Sequence, residues 1–189
     1  MERRNITNEF LKESIADALL KLLEEKPMES ISITEVIDLA GVGRSTYYRN
    51  FTSKEDILAF KLGLLAVRWI KTEGITEETP SEVIIKKICQ NLYNIRSVLE
   101  LCNRNGLMHM IGDAIYKIMG PTETDAKIDR YQKASESFST YGIIFQWVQD
   151  GMKEDAEELA EIILELLKEK KENCNIITET YNLCRKGNI

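Results

Sequence analysis

Arg44, Ser45 and Tyr48 stand at i, i+1 and i+4, a spacing that puts all three on one face if the segment is helical. Each can donate a hydrogen bond. Between Val42 and Lys54 the chain holds three cations, Arg44, Arg49 and Lys54, and no carboxylate. A donor-rich face without acids suits a polyanion. Arg44 adds selectivity, because its fork pairs with guanine O6 and N7 in a major groove.

The flanking residues form a device that can present such a face. Ser32-Ile-Thr-Glu35 has the form of a capping box and predicts a helix starting at Ser32, with Val36, Ile37 and Ala40 as its apolar side. Gly41 and Gly43 bracket Val42, as in a tight turn with the first glycine closing the helix. A short helix from Arg44 then crosses the first at a steep angle, free to enter a groove. Ahead of this pair, Leu11, Ile15, Ala18, Leu19 and Leu22 predict a helix from about Thr7 to Glu25, ended by Pro27. Behind it, Thr52-Ser-Lys-Glu55 reads as a second capping box, opening a helix to about Lys71. Lys54 would lie in its first turn, beside free amides suited to a phosphate.

The pattern AGVGRSTYYRNFTSKEDIL resembles the signature of the TetR family of bacterial transcriptional regulators: a Gly-Val turn, a short helix ending in an aromatic pair, then Phe and Lys-Glu. The resemblance covers residues 7–60 and departs from the usual pattern at Ile37, where the family has Ala. It implies that Thr34, Arg44 and Ser45 reach base edges and that Thr46, Tyr48 and Lys54 grip the backbone. Tyr47 matches a position that in some members contacts DNA and in others packs inward. Arg3 and Arg4 resemble a basic arm for a minor groove, and an idle terminus fits them equally. The resemblance also implies double-stranded DNA with a pseudo-palindromic operator, a homodimer, a small-molecule effector, and repression. The run from Tyr141 to Gly151, followed by an acidic helix, resembles the subgroup that includes dihydroxyacetone-kinase activators. A co-regulator acting through a kinase-like protein partner is therefore the alternative.

Charge argues weakly against DNA. The whole chain carries −6, and residues 1–56 hold eight Lys/Arg against eleven Asp/Glu. Counterion release is local to contacted phosphates, so clustered cations can still bind, with modest non-specific affinity. Enzyme readings find no support. There is no glycine-rich phosphate loop, no Ser/His/Asp set, and the single histidine, His109, has Gly106 rather than Glu three residues before it. The cysteines at 89, 102, 174 and 184 lack metal-ligand spacing. No catalytic residue, metal or cofactor is expected. No signal peptide or long uncharged apolar run is present, which predicts a cytoplasmic protein without membrane contact, its thiols reduced.

The periodicity is helical throughout, so the expected class is all-α. A helix-turn-helix domain is expected over 1–52. A larger effector-binding and dimerisation domain is expected over 53–189, with the helix 53–71 as connector. Thr79-Pro80-Ser-Glu82 should restart a helix with Thr79 as N-cap. Short helices are expected over 98–102 and 107–119, long ones over 125–150 and 154–170, and a short one in the tail 174–189. Trp69, Tyr93, Cys102, Met108, His109, Tyr116 and Trp147 are candidates to line an effector pocket, though each also fits as core. Phe138, Tyr141, Phe145, Val148, Leu159, Ile163 and Leu166 are candidates for a dimeric four-helix interface or, equally, for intramolecular core.

Overall fold

The computed structural model describes residues 2–76 and 78–172, and side chains from residue 8 to 168 except Glu77. The described residues form α-helices and one 3₁₀ turn. They fall into two compact units. One comprises the described residues up to Ile75 together with Ile95–Met152, the other the described residues of Thr76–Asn94 and those from Lys153 onward. These units do not divide at residue 52, because the first helices and those from 95 to 152 cluster together.

The first unit opens with α1 (Glu2–Glu25), α2 (Ile33–Ala40), α3 (Arg44–Asn50) and α4 (Lys54–Glu73). α1 starts earlier than expected and packs against α2, α3 and α4. Ile15, Ala18, Leu19 and Leu23 are its buried stripe. Two polar clips hold α4 on α1. Lys61, only 8% exposed, places Nζ 2.6 Å from Asp17 and 3.6 Å from Glu13. Arg68 donates both arms of its fork to Glu13 at 2.5 and 2.6 Å, which with Lys61 holds that carboxyl below its usual range. A buried ammonium is tolerable only with such partners, since it has lost its water.

The expected cap of α4 is displaced by one residue. Ser53, not Thr52, is the N-cap, accepting from the Asp56 N–H at 3.1 Å. Thr52 instead gives its own N–H and hydroxyl to the Asp56 carboxylate. One half of the box is present one step along: Ser53 caps the Asp56 N–H, while the Asp56 carboxylate accepts from Thr52, the residue before the cap.

Beyond Ile95 lie α6 (Arg96–Arg104), α7 (Met108–Met119) and α8 (Lys127–Gln149). α7 packs on α4, α6 and α8. At Gly112 an added Cβ would come within 3.3 Å of the Tyr141 ring, so the glycine permits the close approach of α7 to α8. Arg104, in the last turn of α6, donates to the carbonyls of Leu23 and Glu24 at 3.4 and 3.2 Å. These carbonyls belong to the last turn of α1, where helices leave acceptors unpaired.

The second unit pairs α5 (Ser81–Asn94) with α9 (Ala156–Glu172). Thr79 is not the N-cap of α5. Its hydroxyl accepts from the Thr76 N–H at 3.0 Å, and the Pro80 carbonyl takes the first helical bond, from Ile84 at 3.1 Å. Glu158 and Asp155 cap the start of α9, where Asp155 accepts from the N–H groups of Glu157 and Glu158. The expected tail helix over 174–189 lies outside the described residues, as do Cys174 and Cys184. Cys89 and Cys102 are buried, and burial pushes both thiols up to about 11, so they are protonated and unreactive.

Candidate nucleic-acid interface

The capping box of α2 is complete. Glu35 N–H donates to Ser32 Oγ at 3.2 Å, and Ser32 N–H donates to the Glu35 carboxylate at 2.9 Å. Lys26 pairs with the same carboxylate and is the largest reason its pKa is held at about 2. At the other end Gly41 adopts φ +66°, the left-handed conformation that favours glycine. Its N–H reaches Asp38 O at 3.2 Å, and Val42 N–H reaches Ile37 O at 3.0 Å. This double bond pattern is a Schellman motif, which ends a helix and reverses the chain at once. Gly43 is extended at φ −80°, a conformation open to any residue, and its carbonyl starts α3. Ile37 is accommodated and buried.

Thr34, Arg44, Ser45, Tyr48 and Arg49 are all exposed, with Tyr48 60% accessible. The expected face on α3 therefore exists. Arg44 Nη2 donates to Thr34 Oγ1 at 2.9 Å, so two candidate reading residues meet across the turn. Thr46 is half-buried, and its carbonyl accepts from Asn50 Nδ2 at 2.8 Å.

Tyr47 takes the packed one of its two expected roles, and Lys54 makes protein contacts in place of the expected free approach to a phosphate. Tyr47 is wholly buried, edge-on to Tyr48 at 5.0 Å and tilted against Phe51 at 6.3 Å. It anchors α3 to the core, and its hydroxyl has no hydrogen-bond partner among the described residues. A side chain on the inner face of a two-turn helix cannot also reach DNA. Lys54 is half-buried and turned inward: its ammonium donates to the carbonyls of Met28 and Ile31, the latter at 2.7 Å. Those carbonyls belong to the 3₁₀ turn Met28–Ser30 and its C-cap. A cation in the first turn of α4 opposes the helix dipole, and reaching out to carbonyls relieves that repulsion. The sequence showed the lysine but not the acceptors, 23 and 26 residues away. Arg3 and Arg4 begin α1, and their side chains lie outside those described.

The candidate effector residues are divided between the two units. Tyr93 is on α5 in the second unit, while the other six are in the first. There Cys102, Met108 and Trp147 are buried core, Trp69 is half-buried, and His109 and Tyr116 are exposed. A shallow, open cleft of about 250 Å³ lies between Leu20 and Glu24 of α1 and Val98, Glu100, Leu101 and Arg104 of α6.

The candidate dimer residues also separate. Val148 and Leu159 are buried within the monomer and unavailable to a partner. Tyr141 and Ile163 are half-buried, and Tyr141 is committed to Gly112. Phe138, Phe145 and Leu166 are exposed, at 64%, 38% and 41%. Ile128 and Tyr131 on α8, not among the candidates, are 74% and 69% exposed. Ile128, Tyr131, Ser135, Phe138, Gly142 and Phe145 follow each other at alternating steps of three and four and are all exposed. The same three-four spacing marks the a and d positions of helices that pack on one another. The step pattern was available as a signal.

No helix among the described residues is long and apolar enough to cross a membrane. The family described as "Bacterial regulatory proteins, tetR family" matches residues 15–59, and "Transcriptional regulator C-terminal region" matches residues 85–169. Comparison with curated proteins finds no match. Among solved structures, the fatty acid degradation regulator FadR from Bacillus halodurans is similar with a TM-score of 0.50 at 18% identity, over 83% of this chain and 94% of that one. At that identity the likeness is one of fold. With a helix-turn-helix that exposes an acid-free donor face, and family matches on both sides of residue 80, the chain carries a regulatory domain of the tetR family and is a DNA-binding transcriptional regulator, not an enzyme.

Proposed function

We propose that the protein is a cytoplasmic, homodimeric repressor that binds a pseudo-palindromic DNA operator and releases it when a small-molecule effector binds. The observation that carries this reading is the α3 face: Arg44, Ser45 and Tyr48 are exposed together, and no carboxylate lies between Val42 and Lys54. Residues 1–52 act as the reading head and α4 as its connector. One head makes too few base contacts to specify a site, and a two-fold dimer doubles the readout. The α8 seam supplies an apolar surface for that pairing. An effector needs to favour one state by only ~1–3 kcal/mol to switch occupancy.

The test is Arg44→Ala, assayed by fluorescence anisotropy on duplexes that the wild-type protein selects from a random library. Specific affinity should fall by ~1–3 kcal/mol with one base preference relaxed. Unchanged affinity and preference together would show that α3 is not the recognition helix.

A second reading has specific support. The excess of acids over bases in residues 1–56 and the inward Lys54 both weaken the hold on phosphates. In this reading the chain, like the dihydroxyacetone-kinase activators it resembles, works through a protein partner. Gel shifts separate the two: binding by pure protein supports the repressor, and binding only with cell extract supports the co-regulator.

A further inference from the structure

We propose that Thr34 is a positioning residue for Arg44, holding the guanidinium ready for a guanine rather than reading a base itself. The inference rests on α3 being the recognition helix. Its basis is the 2.9 Å hydrogen bond from Arg44 Nη2 to Thr34 Oγ1, which joins the first turn of α2 to the first residue of α3. Both side chains are exposed, so nothing about core packing forces them together.

Three features of the chemistry support a positioning role. A guanidinium has five N–H donors; giving one to Thr34 leaves four, including a pair for O6 and N7. The orienting partner is a neutral hydroxyl. A carboxylate would hold the arginine more strongly, but it would repel the phosphates and compete with the guanine acceptors. Finally, a free arginine loses the freedom of a long side chain when it binds, and one already held by Thr34 loses less. The bond thus favours the bound arrangement without lowering the positive charge presented to DNA.

Thr34→Val keeps the shape of the side chain and removes its oxygen; Thr34→Ser keeps the oxygen. The probe is a duplex selected from a random library by the wild-type protein, together with all single-base variants of it. Arg44→Ala identifies which guanine the arginine reads. Thr34→Val is expected to weaken preference at that same guanine by about three- to tenfold, leaving the other positions, the salt slope and the urea midpoint unchanged. Thr34→Ser should retain the wild-type preference. With Arg44→Ala already present, Thr34→Val should have no further effect. Loss of preference at a different base pair, or additive effects of the two substitutions, would mean that Thr34 contacts DNA on its own and would overturn the proposal. So would an unchanged preference in Thr34→Val. If Arg44→Ala changes no preference, the recognition-helix reading fails first, a result distinct from failure of the Thr34 proposal.

Discussion

Replacing Lys54 with Met separates the role the sequence suggested from the one the fold supports. Met keeps most of the aliphatic stem and removes the ammonium, which donates to Met28 O and to Ile31 O, the latter at 2.7 Å. A hydrogen bond to a charged group contributes about 1.5–3 kcal/mol when its partner is left without water. Lys54 is only half-buried, so water can reach part of the vacated space, and Met28 O retains the Ile31 N–H. A loss of about 2 kcal/mol for the pair is expected. That corresponds to a fall in Tm of about 4–8 °C for a chain of this size. Urea unfolding followed by circular dichroism measures the stability. The salt dependence of non-specific DNA affinity measures the phosphate contact, which a bound lysine would contribute with a slope near one. The expected outcome is reduced stability with an unchanged slope. Unchanged stability with the slope lowered by about one would refute the inward assignment.

Tyr47→Phe removes a buried hydroxyl that has no partner among the described residues and should raise stability by about 1 kcal/mol without altering DNA affinity; a comparable loss in urea midpoint would mean the hydroxyl is satisfied. Ile128→Glu combined with Phe138→Glu alters residues 74% and 64% exposed in the monomer, so it should leave folding intact while converting a dimer to a monomer in light scattering. Persistence of the dimer would exclude the α8 seam. Glu35, lowered from 4.5 to about 2 chiefly by Lys26, contributes stability that is complete above about pH 4.5 and lost as pH falls toward 2. The stability advantage of wild type over Glu35→Gln should shrink across that window, and a difference independent of pH would remove the carboxylate from the account.

The features legible in the sequence are those closed within a few residues. Ser32 and Glu35 cap each other three apart, Gly41 ends α2 through bonds no longer than five residues, and Pro27 lies just beyond the end of α1. Such motifs satisfy backbone groups locally, so residue type and spacing suffice to place them. The helix-turn-helix and its exposed arginine were readable for that reason. The seam on α8 was readable in principle too, because its three-four spacing lies within one helix.

Choices between distant partners were not readable. Lys54 could have met a phosphate or a carbonyl, and acceptors more than twenty residues earlier decided it. Tyr47 and Tyr48 are neighbours of the same type, yet the rotation of α3 on its core buries one and exposes the other. The same holds for Val148 against Phe138 on α8. A helical pattern identifies apolar positions, but only packing determines which of them another element covers. Periodicity and caps therefore determined the helices and the reading turn from sequence alone. Tertiary structure decided which cations face outward, because burial and long-range hydrogen bonding depend on surfaces that adjacent residues do not create.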